Sequence, residues 1–184
     1  MGRWEPNARG RLEQAALALY SERGFDATTV KEIAGRAGLT ERSFFRHFAD
    51  KREVLFGGNA LQDSLVSALT EISPEAAPLD AVAATLESAA AVFDERRERV
   101  RQRQAVIAAH AELQERELIK LAAIGSALAG GLRDRGTTEP TASLAAETGV
   151  AVFKVAYGRW LTDPDERRFA RHLRDTFAEL KMLT

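Results

Sequence analysis

Apolar residues recur at three- and four-residue intervals along nearly the whole of this 184-residue chain, and no window alternates polar and apolar over a strand's length. A face that repeats every 3.6 residues can be buried on one side only if the backbone is helical. Alanine, leucine, glutamate and arginine dominate, and these side chains lose little freedom in a helix. The expected fold class is all-α, with about nine helices.

Punctuation residues divide the pattern. The spacing predicts a first helix over 8–23, with Leu12, Ala15, Ala16, Leu19 and Tyr20 on one face and Gly24 just past its end. Thr29 and Glu32 stand at capping-box spacing and start a second helix, which Gly38 ends by taking a positive φ. Thr40 caps a third helix carrying Phe44, Phe45 and Phe48. Asp50 caps a long fourth helix over 51–72, which stops before Ser73-Pro74. Residues 73–78 read as a linker. Further helices are expected over 79–94, 95–108, 111–134, 141–161 and 165–182, with Gly136, Pro140 and the cap Asp163-Pro164 between them.

Composition excludes several functions. No run reaches the ~18 to 20 uncharged residues of a membrane span, and residues 1–6 lack the apolar region of a signal peptide, so the expected location is the cytoplasm, with no membrane partner. Without cysteine there is no disulfide framework, thiolate zinc site or thiol nucleophile. His47, His110 and His172 are too far apart to form a metal-binding pair, so no metal is expected. The chain has no recognisable pairing of nucleophile and base and no glycine-rich phosphate loop. No catalytic residue and no cofactor are therefore expected, and a helical-bundle enzyme is the least favoured reading. The net charge of −1 argues against a protein that coats nucleic acid indiscriminately. Residues 1–57 nevertheless carry ten Lys or Arg against eight Asp or Glu, while the remainder carries 16 against 19. That bias points weakly to an N-terminal contact with nucleic acid.

Residues 30–48 have the parts of a helix-turn-helix: a short helix, a tight turn and a second helix whose outward side chains can reach major-groove base edges. Val30, Ile33, Ala34 and Ala37 face inward, Leu39 plugs the turn, and Phe44 and Phe48, four residues apart, anchor the second helix. Thr40, Glu41, Arg42, Ser43, Phe45, Arg46 and His47 are left pointing outward. With Thr28 to Lys51 read in full (TTVKEIAGRAGLTERSFFRHFADK), and with the Ala16 to Phe25 segment before it, the chain resembles the DNA-binding signature of the tetracycline-repressor-like (TetR) family over about residues 8–56.

The resemblance implies a helix-turn-helix domain over 8–56 and a helical ligand-binding and dimerisation domain over 57–184, the two joined by the long fourth helix. It implies a homodimer on a palindromic duplex operator. Carried onto this sequence, Thr28 or Thr29 bonds a phosphate at the start of the second helix, and Lys51 does so at the start of the fourth. Thr40 stands at the head of the recognition helix, Arg42 and Ser43 hold base-reading positions, and His47 matches a phosphate contact. Arg46 is a further candidate for guanine. Phe45 departs from the family, which commonly has tyrosine there; only an apolar contact, as with a thymine methyl, is left to it.

In the last two-thirds, Val150, Phe153, Tyr157 and Trp160 make one apolar stripe and Phe169, Leu173, Phe177 and Leu180 another. A terminal helix pair of this kind matches the family's dimer interface, so Val150, Phe153, Phe169, Leu173, Phe177 and Leu180 are expected there, with intramolecular core as the alternative. Five arginines fall within residues 96–103. Phe93, Val100 and Ile107 form a narrow apolar stripe flanked by these arginines, of which Arg97 and Arg101 are candidates to hold an anionic ligand at the mouth of a cavity lined by Phe93, Val100, Tyr157 and Trp160. The alternative is a solvated face with local ion pairs. This helix and the Ala/Gly-rich stretch after it are similar to an actinobacterial branch of the family with acyl-coenzyme A-like ligands. The expected function is a ligand-released repressor; a DNA-binding or architectural protein without an effector is the alternative.

Overall fold

The computed structural model of the chain describes residues 7–183; residues 1–6, on which the signal-peptide reading rests, and Thr184 lie outside the described residues. Among the described residues the regular structure is helical: α1 (Ala8–Arg23), α2 (Val30–Arg36), α3 (Glu41–Phe45), a 3-10 turn (Glu53–Leu55), α4 (Ala60–Glu71), α5 (Pro78–Asp94), α6 (Arg97–Ala108), α7 (Ala111–Asp134), α8 (Thr141–Leu161) and α9 (Phe169–Lys181). No helix among them is long and apolar enough to cross a membrane.

Two compact units share the chain. The N-terminal unit takes the described residues up to Asn59 together with Arg101–Glu117; the other takes Ala60–Val100 and the described residues from Leu118 on. The expected boundary after residue 56 gives the first unit nothing from beyond it. In the structure Val106, Ile107 and Leu113 are buried in the same core as Leu12, Phe25, Ile33 and Phe44. Polar contacts hold them there. Arg103 donates through Nε to the Leu55 carbonyl at 2.6 Å and pairs with Glu117 at 3.0 Å, and Arg116 donates to Glu53 at 2.6 Å.

In the second unit, α5, α8 and α9 pack around Val82, Leu86, Val152, Trp160, Phe169 and Leu173, with Leu65 and Leu69 of α4 and Leu128 and Leu132 of α7 completing the core. Close approach of α5 and α8 depends on Gly149, where a Cβ would stand 2.3 Å from Val82 Cγ1. Of residues 73–78, read as a linker, 73–77 form a loop inside this unit and Pro78 opens α5. Arg135 fastens it through hydrogen bonds to the carbonyls of Leu69, Ile72 and Ser73 at 3.0, 2.8 and 2.6 Å.

Two helices differ from expectation. The continuous fourth helix is broken: Asp50 does cap, accepting the Arg52 and Glu53 N–H groups at 2.8 and 3.1 Å, but it caps only the 3-10 turn. Gly57 and Gly58 then take φ of +64° and +65°, a conformation that ends any right-handed helix, and α4 starts afresh at Ala60. The last helix begins at Phe169 rather than near residue 165. Asp163 accepts the Asp165 and Arg167 N–H groups at 3.2 and 3.0 Å, but Glu166 sits at φ +51° and the Phe169 N–H goes to Asp94 Oδ1 at 2.9 Å. Residues 164–168 are thus a clasped loop.

Candidate nucleic-acid interface

The interface is built from α2, α3 and the turn between them. At the head of α2 the Thr29 hydroxyl accepts the Glu32 N–H at 3.2 Å and the Glu32 carboxylate accepts the Thr29 N–H at 2.9 Å, closing the expected capping box. That Thr29 N–H, with the hydroxyl beside it, holds the Glu32 carboxyl below the usual carboxylate range. At the other end Gly38 takes φ +66°, and the Leu39 N–H turns back to the Ala34 carbonyl at 2.8 Å. Arg11 of α1 donates to the Ala37 carbonyl; a Cβ on Gly38 would lie 2.7 Å from this guanidinium. Glycine is required here by φ, since the end of the flexible Arg11 side chain could move aside.

Helix α3 is five residues long, capped by the Thr40 hydroxyl on the Ser43 N–H at 3.2 Å. A further turn carries it to Phe48, whose N–H reaches the Phe44 carbonyl at 3.0 Å. So short a helix is not stable on its propensity. Its anchors are Phe44 and Phe48, both buried, with ring centroids 5.5 Å apart. Full burial of a phenylalanine stabilises by roughly 1.5 to 3 kcal/mol, enough to hold one helical turn in place. Anchoring this face turns Glu41, Arg42, Phe45 and Arg46 to solvent.

Ion pairing sorts the surrounding cations. Arg23 pairs with Glu32 at 3.0 Å, Arg36 with Glu22 at 2.6 Å and Arg52 with Asp50 at 2.6 Å. Exposed pairs of this kind add little stability, but they cancel charge locally. Among the described residues the side chains of Lys31, Arg42 and Arg46 make no such pair and no hydrogen bond, and all three residues are exposed. Uncancelled positive charge therefore sits on α2 and α3. Lys31 is not among the residues expected from sequence, although its position one residue after the inward Val30 already directs it away from the core.

The structure gathers Thr40, Arg42, Ser43, Phe45, Arg46 and His47 on or beside α3, with Thr29 at the start of α2. The Thr40 and Ser43 hydroxyls lie 3.2 Å apart and satisfy one another in part. Two expected phosphate contacts face elsewhere. Thr28 is buried, and its hydroxyl donates to the Gly24 carbonyl at 2.8 Å. The Lys51 ammonium donates to the carbonyls of Phe25 at 2.8 Å, Thr28 at 3.1 Å and Asp26 at 3.4 Å. All three of its protons have a carbonyl within reach inside the unit.

In the second unit the expected aromatic ligand residues and most of the expected dimer residues meet in one core. Phe93 lies 5.2 to 6.4 Å, ring to ring, from Phe153, Tyr157, Trp160 and Phe169. Trp160 is fully buried and donates its indole N–H to Asp94 at 3.1 Å. Arg97 donates to the Trp160 and Arg167 carbonyls at 2.6 and 3.2 Å with its guanidinium over the Trp160 ring, so it caps the end of α8 instead of lining a mouth. Val100 packs at the edge of this core, while Arg101 belongs to the N-terminal unit. Phe169, Leu173 and Phe177 are buried within their own chain, as is Val150, and Phe153 and Leu180 pack against the same cluster. Phe169, Leu173 and Phe177 thus lie in intramolecular core, the alternative reading of their stripe, because α9 folds onto α5 and α8, while Phe153 and Leu180 stay partly buried.

Comparison with known proteins agrees with this architecture. Residues 13–56 match the family model described as bacterial regulatory proteins, tetR family, and residues 76–183 match that of the MftR C-terminal domain. The chain belongs to the TetR family of bacterial regulatory proteins, in the branch that carries the MftR C-terminal domain. It is 47% identical over 47 residues to the transcriptional repressor KstR2 of Mycobacterium tuberculosis, a match that spans 26% of this chain and 24% of that protein. Among solved structures, the SmeT–triclosan complex superposes with a TM-score of 0.62 at 22% identity, covering 94% of this chain and 90% of that one. The lauroyl-CoA complex of Thermus thermophilus FadR, a TetR-family repressor, superposes at 0.52 and 22% identity, covering 94% and 93%. These two share the fold.

Proposed function

We propose that the protein is a sequence-specific regulator of transcription, a homodimeric repressor that binds a palindromic duplex operator and is released by a small molecule. One observation carries the DNA-binding part: Arg42 and Arg46, without an ion pair, and the exposed Phe45 project from a helical segment anchored by buried Phe44 and Phe48. Arg42 or Arg46 can give the bidentate contact to a guanine edge, and Lys31 and His47 can bond flanking phosphates, whereas the Thr29 N–H and hydroxyl are both taken by the Glu32 carboxylate. Since α3 is only long enough to read a few base pairs, specificity requires a second copy one helical turn away.

The dimer seam falls to the outer face of α8. Leu144 and Val155 are 63% and 54% exposed, and Ala151 and Gly158 share their face, with seven, four and three residues from one to the next, small enough for another helix to approach closely. The effector is a hydrophobic molecule with an anionic group, of the acyl-coenzyme A kind. Its support is that proteins of this fold hold triclosan and lauroyl-CoA, together with the partly buried aromatic rings of Phe93, Phe153 and Tyr157 in the second unit. A ligand at the cluster has to part Phe93 from Phe153 and Tyr157. To release DNA it must bind the non-binding conformation more tightly than the binding one.

Selection of duplexes from a random pool by the full chain tests this reading, with affinity then followed against salt and against added lauroyl-CoA. A recurrent palindromic sequence bound with a steep salt dependence is the expected result. Retention of no duplex overturns the DNA-binding reading. Retention that lauroyl-CoA and other acyl-CoA esters leave unchanged favours a DNA-binding regulator without this effector.

A further inference from the structure

Phe45 is out of place by ordinary packing. The other aromatic rings of α1 to α3 and their connecting turns, Tyr20, Phe25 and Phe44, are buried, whereas Phe45 is 56% exposed. It is not a loose apolar side chain. Its ring meets Phe44 edge-to-face, with centroids 5.4 Å apart and planes at 82°, and Phe44 is itself fully buried. The exposed ring is thus braced on a fixed one, and with only two rotatable bonds it loses little entropy when something covers it.

Its neighbours say what that something is. Arg42, one turn before it, and Arg46, next in sequence, are exposed cations without an internal partner among the described residues. An apolar ring with unpaired arginines at neighbouring positions of the same helical segment suits a polyanion that offers an apolar spot beside polar edges. In the major groove of duplex DNA the C5-methyl group of thymine is that spot, and 5-methylcytosine carries the same group at the same ring position. Phenylalanine has no donor or acceptor with which to take a phosphate or a base edge instead.

We propose that Phe45 is a specificity-determining residue that reads a pyrimidine C5-methyl group, one in each half-site, so that operator affinity depends on that methyl. The inference rests on the DNA-binding reading above and adds the chemical group recognised. Removing one methyl from contact with the ring should weaken binding roughly fourfold, the ratio that goes with burial of one methylene-sized group, and roughly fifteenfold when both half-sites are changed.

The test uses the full chain and the operator selected from the random pool. Each thymine is replaced in turn, symmetrically in both half-sites, by deoxyuridine, which removes the methyl and leaves every hydrogen-bonding edge in place. The expected result is one position per half-site at which the replacement weakens binding by the stated ratio, with the dependence abolished in Phe45→Ala and kept in Phe45→Leu. The exposed ring makes both variants foldable, which thermal unfolding confirms independently. Affinity indifferent to every thymine methyl, or a methyl dependence that Phe45→Ala retains in full, overturns the proposal while leaving DNA binding intact. Retention of no duplex at all overturns both.

Discussion

The ammonium of Lys51 sits 2.8 Å from the Phe25 carbonyl oxygen and 4.3 Å from the centre of the same residue's ring. With the Thr28 carbonyl also in reach and the Tyr20 hydroxyl donating to the Lys51 carbonyl at 2.6 Å, residue 51 ties the end of α1 to the start of α2. Its charge acts inside the unit and positions the capping residue Thr29 indirectly.

Lys51→Met should therefore lower stability by about 1 to 3 kcal/mol, the cost of losing charge-assisted hydrogen bonds to part-buried carbonyls, and weaken all duplexes alike. The slope of log affinity against log salt separates the two roles. It should stay unchanged, whereas loss of a direct phosphate contact would reduce it by about 1.

Arg42→Ala should act differently, costing ~1 to 3 kcal/mol at one base pair of each half-site and less elsewhere. Affinities measured over a set of single-base operator variants check this; a uniform loss across the set contradicts a base contact.

Gly149→Ala places a methyl group against Val82 in a packed core, and overpacking of this kind destabilises by about 1 to 3 kcal/mol. Val82→Ala in the same chain should restore part of the loss, since it removes the atom that is struck. Chemical denaturation of both single variants and the double variant measures the non-additivity.

Asp163 is buried and accepts two hydrogen bonds from the Arg167 guanidinium, each at 2.9 Å, and one contact from His172 at 2.9 Å. The Arg167 bonds first, then His172 and the backbone N–H groups, hold its carboxyl well below the ordinary carboxylate range. A depressed folded value stabilises the protein above that range, and the contribution fades as pH falls through it toward the folded value. Asp163→Asn should accordingly unfold at a lower temperature than the parent near neutrality, with the gap narrower at about pH 3. A gap independent of pH would refute the assignment.

Val155→Arg, on the outer face of α8, should yield monomers by sedimentation and weaken operator binding without lowering the stability of the subunit. A variant that stays dimeric moves the seam elsewhere.

Local chemistry was legible wherever it was sufficient by itself. Helices α1, α7 and α8 end where their caps and punctuation residues place them, and the Thr29–Glu32 box and the Gly38 turn form as read, because each depends on residues at most a few positions apart. The break at Gly57 and Gly58 was written in the sequence too, but glycine inside a helical pattern costs only about 1 kcal/mol, so the pair alone does not decide between a helix and a turn.

What the sequence determined by itself is the helical class, the helix-turn-helix and the residues outward on α3, since periodicity states which face of a helix is buried. It does not state against what. Tertiary structure alone decided that Phe169, Leu173 and Phe177 are buried in their own chain, that Lys51 is taken up by carbonyls 23 to 26 residues away, and that residues 101–117 belong with the N-terminal unit. An apolar stripe or a lone charge is satisfied equally well by its own chain, a second copy or a ligand, and the packing of distant elements makes the choice.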